Sequence, residues 1–323
     1  MNLLDPTYIR DNVDYSFGDQ SGVHLFNGYM KNANIENVEF ISKYNEIKNI
    51  RNYMTLFIDN IRLYQRPGIK YTSMEQSNES FRHFKDERVR ELSGNDLLEL
   101  CGKLPDMNFI IFTAFEDTPT DDEIFDKIPE NVLGIYASNA TTFGGKVNPI
   151  PYGIKRRIHP SDITHEVLSA MTSLNVEPKK LLYINHSTGT NQFRVKINEY
   201  FSKYDWSTID SPVSPSYNDY TNYLSAIKNH KFMICPDGNA VGCECHRDWE
   251  VLYMRRVPVV VRSEYLEKIF DGIPVLFVDS FLDVTEELLN NNIHLYEQMQ
   301  TFDLSKLDMK IIYENILLQY ESW

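Results

Sequence analysis

Short apolar runs separated by polar, helix-forming stretches recur along the whole chain. The runs at 53–59 (YMTLFID), 108–113 (NFIIFT), 132–137 and 181–185 read as buried strands, and 257–261 (VPVVV) is a β-branched run suited to the middle of a parallel sheet. Shorter runs at 38–42, 206–209, 232–235 and 273–278 predict further strands. Between them the spacing predicts helices. One runs from an Asn95 cap to Lys103 and stops at Pro105, and another covers 163–174. A third, at 191–203, carries Phe193, Ile197, Tyr200 and Phe201 on one face. Further helices are expected at 217–229, 247–256, 264–270, 285–300 and 305–320. The stretch 14–22 (DYSFGDQSG) is turn-rich, 65–78 is a loop, 81–91 is a solvated helix or lid, and 115–122 is an acidic loop.

Alternating strands and helices imply an α/β fold with parallel sheets. The segment VNPIPYG at 147–153 is the richest cluster of turn formers, and a chain of 323 residues is long for one core. The expected organisation is two Rossmann-like domains facing a cleft, 1–155 and 156–323.

Composition narrows the function. With 42% hydrophobic and 24% charged residues the chain is a soluble, globular type. A net charge of −14 argues against a general nucleic-acid binder but leaves room for a local basic pocket. No run is long enough for a membrane span, and the first ten residues lack the regions of a signal peptide. Four cysteines, Cys101, Cys235, Cys243 and Cys245, are too few for a disulfide framework, so reduced thiols and a cytoplasmic location are expected.

Candidate chemistry concentrates at 230–279. Arg247 and Glu250 are three apart on a helix that follows a Gly-Asn loop, at the strand edge where ligands of parallel sheets sit. An arginine there can neutralise phosphate and a glutamate can accept ribose hydroxyls; the plain alternative is a surface ion pair worth ~0.2–0.5 kcal/mol. Asn185, Ser187 and Thr188 open the helix at 191, and Arg194 follows one turn in, or is an ordinary surface arginine. Gly238, Asn239 and His246 complete this candidate nucleotide-binding set. The Cys243-x-Cys245-His246 cluster has the wrong spacing for zinc and no second pair, and no Asp-x-Asp pair ends a strand, so no metal or other cofactor is expected. A general base is sought among first-half loop acids. Asp19 is favoured and Asp117 is the second choice, because a shielded carboxylate has a raised pKa. Glu116, Asp121 and Asp122 share that acidic loop, the last two reading as helix caps, and His24 and His83 are lesser candidates.

The stretch FMICPDGNAVGCECHRDWEVLYMRRVPVVV resembles the signature of exostosin-like glycosyltransferases, including the ribitol-xylosyltransferase type. Pro236, Gly238, Asn239, Glu244, His246, Arg247, Trp249, Glu250 and Pro258 occupy the matching places. FIIFTAFEDTP, YASNA, VNPIPYGI and LLYINHSTGTNQFR are similar to other parts of the family, so the resemblance covers roughly 108–280. Asp237 departs from it, standing where members carry Arg, and the loop from 238 to 244 is longer than the pattern. The resemblance implies a GT-B fold and inverting, metal-independent transfer of a sugar to a glycan hydroxyl. The donor it implies is a nucleotide sugar, UDP-linked by preference, with xylose as one candidate. Fucosyl transfer from a GDP donor on the same fold and a non-catalytic sugar- or nucleotide-binding module are the alternatives.

Overall fold

The computed structural model describes residues 3–17, 38–59, 94–114, 128–154, 164–189, 192–210, 217–238 and 240–321. Asp19, Asp117 and Asn239 lie outside these residues, as do His24, His83, Glu116, Asp121 and Asp122.

Two five-stranded sheets, each wholly parallel, form the frame. The first contains β1 (Tyr15–Phe17), β2 (Tyr53–Asp59), β3 (Asn108–Ala114), β4 (Val132–Ala137) and β5 (Val147–Pro149), side by side in chain order. Helices α1 (Thr7–Asn12), α2 (Val38–Lys48) and α3 (Gly94–Gly102) belong to this half. Strand pleating sorts its side chains. Phe109 and Ile111 of β3 face one apolar cluster with Phe40, Tyr44 and Leu97, whereas Ile110 and Phe112 face the other. Burial on both faces is why these strands read as unbroken apolar runs.

The second half begins with α4 (Thr164–Thr172), followed by β6 (Lys180–Ile184), α5 (Phe193–Phe201), β7 (Ser207–Ile209) and α6 (Tyr217–Lys228). It continues through β8 (His230–Ile234), α7 (His246–Tyr253), β9 (Val257–Val261), α8 (Glu264–Ile269) and β10 (Leu276–Val278). Strand order is β10-β9-β8-β6-β7. The chain leaves β6 toward β7, then returns to lay β8 on the opposite side of β6. The β6/β8 boundary is thus a reversal of winding, the place where the loops after two adjacent strands diverge and leave a crevice.

Helices α9 (Glu286–Asn291), α10 (Ile293–Thr301) and α11 (Met309–Leu318) finish the chain. The last of these returns to the first sheet. Tyr313 packs against Phe112 with the rings tilted and their centres 5.3 Å apart, and donates to the carbonyl of Asn12; the hydroxyls of Tyr136 and Tyr320 meet at 2.8 Å. One apolar cluster accordingly runs from the inner face of the first sheet, through α1 and α11, into the second sheet.

Several elements differ from their expected form. Residues 38–42, expected as a strand, open α2, because Phe40, Tyr44 and Ile47 are buried at helical rather than alternating spacing. Part of the expected turn at 14–22 is the edge strand β1. Asp14 pins it by accepting from Thr55 N at 2.7 Å, from Thr55 Oγ1 at 2.8 Å and from Arg51. The expected helix at 285–300 is two helices that meet at Asn292, and the last helix starts at Met309 after a 3₁₀ turn. No helix among the described residues is long and apolar enough to cross a membrane.

Candidate functional site

The loops that follow β6 and β8 flank the reversal of winding, and Arg194 on α5 ties them together. It is 4% exposed and donates to the carbonyls of Ser187 (3.0 Å), Pro236 (3.0 Å) and Asp237 (2.6 Å). Its guanidinium is engaged by the protein's own backbone rather than turned outward, so it is not the ordinary surface arginine that sequence left as the alternative, and sequence did not reveal its bonding. Asp237 also shapes its loop, its carboxylate accepting from Gly242 N at 3.0 Å. Ser187 and Thr188 are exposed beside it. Asn185 is buried and donates to the Tyr183 hydroxyl at 3.1 Å. A Cβ on Gly238 would meet no atom within 4 Å, so the space over this loop is open. His186, 1% exposed, contacts the Arg194 carbonyl; burial pushes its pKa down to about 4, which keeps the ring neutral.

The β8 loop leads into α7. Cys245 is its N-cap, and Asp248 closes a capping box by accepting from Cys245 N at 2.6 Å. Arg247 follows at the first turn, partly buried. Among the described residues its Nη1 reaches only the Cys245 sulfur, at 3.5 Å, and its Nε is shielded from solvent with no hydrogen-bond partner. Among the described residues it makes no ion pair with a carboxylate, Glu250 included. Burial works to lower its pKa and is outweighed by Cys245, Tyr223, Cys235 and Asp248, so the charge persists at any working pH.

Glu250, one turn further, does not pair with Arg247. Its two oxygens accept from the hydroxyls of Tyr220 and Tyr223, each at 2.9 Å. These tyrosines are three apart on α6 and share one face. Sequence reasoning missed both. The aromatic pair was visible, but nothing local connected it to a glutamate 27 residues away.

Glu244 and His246 face the other half of the molecule. Glu244, 4% exposed, accepts from Tyr152 N at 2.5 Å, and Tyr265, whose hydroxyl accepts from Asn139 N, faces the same carboxyl. Burial pushes the Glu244 pKa up to about 7 and that of Asp248 up to about 6. His246 stacks on Tyr152 at 4.7 Å, and its Nδ1 meets the Gly153 carbonyl at 2.7 Å. The α7 loop is therefore joined to the segment that crosses between the sheets.

No protein-family model matches the chain, and no curated protein does. Seven chains of solved structures match it. One is titled "Crystal Structure of alpha1,3-Fucosyltransferase"; it is 9% identical, covers 65% of this chain and 67% of its own, and has a TM-score of 0.35. A likeness of that size carries no argument about fold or function, which rest on this chain's own residues.

All four cysteines are free. Burial raises the pKa of each, Cys245 to about 12, so they are thiols at neutral pH and poor metal ligands. Among the described residues no group of three or more His, Cys, Asp or Glu is placed to hold a metal ion.

Proposed function

We propose that the chain is a glycosyltransferase of GT-B architecture, holding a nucleoside diphosphate sugar at the carboxyl edge of the second sheet and passing the sugar to a glycan hydroxyl. The observation that carries the reading is the β6/β8 reversal, where an arginine with no carboxylate partner among the described residues and a tyrosine-oriented glutamate stand on one face of α7. Open α/β sheets bind ligands at such reversals. The signature residues from Pro236 to Pro258 fall on these same elements.

In this reading Glu250 takes the ribose hydroxyls, its carboxylate oriented by Tyr220 and Tyr223. Arg247 meets the diphosphate, with backbone N–H groups at the amino ends of α5 and α7. Arg194 acts as a positioning residue, fixing the gap between the two loops. Transfer is a single inverting displacement. The acceptor oxygen attacks the anomeric carbon, the bond from that carbon to the diphosphate breaks, and a first-half carboxylate, Asp19 or Asp117, removes the hydroxyl proton. Fixed positive charge at the leaving diphosphate supplies the main stabilisation, without requiring a metal. The preferred donor is a UDP-sugar, with xylose as one candidate.

The test is turnover across a panel of UDP- and GDP-sugars, read as donor hydrolysis or acceptor labelling. Nucleotide release from one donor is expected. Ligand-induced melting shifts with no turnover of any donor would make the chain a binding module instead.

A further inference from the structure

The edge of the second sheet opposite the candidate site carries a cavity of about 420 Å3. Its walls come from the segments entering β6, β8 and β9 and from α10, so it shares no loop with Arg247 and Glu250. Three cations line it: Lys228, Arg255 and Arg256. Glu177 is the one carboxylate among its lining residues, and none of the three cations makes an ion pair with a described carboxylate. In a chain of net charge −14 this is a local inversion of sign.

Part of that charge has a structural use. Arg256 donates to the carbonyls of Lys228, Arg255 and Val176, and Nη1 of Arg255 donates to those of Met299, Gln300 and Phe302. The carboxyl ends of α6 and α10 are capped in this way. With the end of α4, whose Leu174 carbonyl accepts from Lys228, three helix ends offset about one and a half units of positive charge, against three cations. Donors are also left over. Nε and Nη2 of Arg255 bond to no described residue, and Lys228, 2% exposed, uses one N–H, on the Leu174 carbonyl at 2.6 Å. Burial, then Arg256 and Arg255, push the Lys228 pKa down to about 8, the mark of an ammonium lacking a counter-ion. The Tyr296 ring lies under Arg256 at 5.5 Å and Lys231 at 5.8 Å, adding a fourth cation nearby.

We propose that this cavity is a second anion site, binding a phosphate-bearing ligand through the Lys228 ammonium and the open edge of the Arg255 guanidinium. Two sources share that chemistry: a soluble phosphate or pyrophosphate, and the headgroup of an anionic lipid, for which Leu174 (51% exposed) and Val176 (38% exposed) form an apolar rim.

The probes are inorganic pyrophosphate and vesicles of phosphatidylcholine with or without phosphatidic acid, at constant ionic strength. If the ligand is soluble, pyrophosphate raises the melting temperature. Affinity then falls roughly tenfold or more in Lys228→Met or Arg255→Asn, the worth of a charge-assisted hydrogen bond, and is kept in Arg247→Gln. Arg255→Asn keeps the +58° backbone, a region asparagine tolerates, but frees three carbonyls at the end of α10, so its affinity is read under conditions where the variant is folded. If the ligand is lipid, the chain sediments with phosphatidic acid vesicles and not with pure phosphatidylcholine, and both Lys228→Met and Leu174→Ser weaken this. In the natural chain, pyrophosphate or phosphatidic acid slows acylation of Lys228, a readout independent of any variant. Binding of neither probe overturns the proposal. So does binding lost in Arg247→Gln but unchanged in Lys228→Met and Arg255→Asn, which would place the anion at the first site.

Discussion

Two buried residues set the sharpest expectations at the single-residue scale. The folded chain holds the Glu244 proton more tightly than the unfolded chain, with a pKa of about 7 against 4.5. Stability from this group is thus present at low pH and lost as pH rises through that interval, about 3 kcal/mol in all. Asp248 adds a loss of the same sign that is complete by about pH 6, whereas His186, lowered to about 4, acts in the opposite direction below 6.5. Denaturant unfolding of Glu244→Gln beside the natural chain isolates the first term. The variant is expected to gain relative stability steadily up to neutral pH, and a constant difference would remove the raised pKa from the account. Gly153 is the second case. Its φ is +74°, and a Cβ there would stand 2.0 Å from the Leu4 carbonyl oxygen, which accepts from Ile154 N. Gly153→Ala is expected to lose about 2–4 kcal/mol of stability, readable as a lowered midpoint at unchanged slope.

At the scale of elements, the loops after β6 and β8 behave as a pair because Arg194 bonds to both. Arg194→Met keeps the aliphatic stem but frees three carbonyls. It is expected to cost about 2–4 kcal/mol and, under conditions where the variant is folded, to weaken nucleotide binding by loosening the two loops. Sequence made much of this edge legible: every strand of the second sheet and the helix bearing Arg247 and Glu250 were expected close to where they occur. What it could not show was pairing across distance. Arg194 in a polar helix pattern gives no sign that its partners are carbonyls some 40 residues on, at Pro236 and Asp237. Likewise Phe40 and Ile41 look like strand residues until Tyr44 and Ile47 prove to share the same buried face. Local propensity is a weak prior that packing overrides.

For the whole molecule, the last helix and the crossing segment link the two sheets. Tyr313 and Tyr320 on the chain's final stretch contact the first sheet, while Leu4 N donates to the Tyr253 hydroxyl at 2.7 Å, and that hydroxyl donates to the Leu307 carbonyl. Removal of residues after 308 should therefore destabilise the first half as well as the second, seen as loss of hydrogen-exchange protection in β3 and β4. The central claim, however, concerns one edge of one sheet. It is tested most directly by calorimetric titration of UDP and GDP into the natural chain, Arg247→Gln and Glu250→Ala. One nucleotide is expected to bind the natural chain at one site, with affinity reduced roughly tenfold or more in each variant, since each removes a hydrogen bond to a charged group. Unchanged affinity in both folded variants would contradict the account, because the nucleotide would then lie away from the β6/β8 reversal.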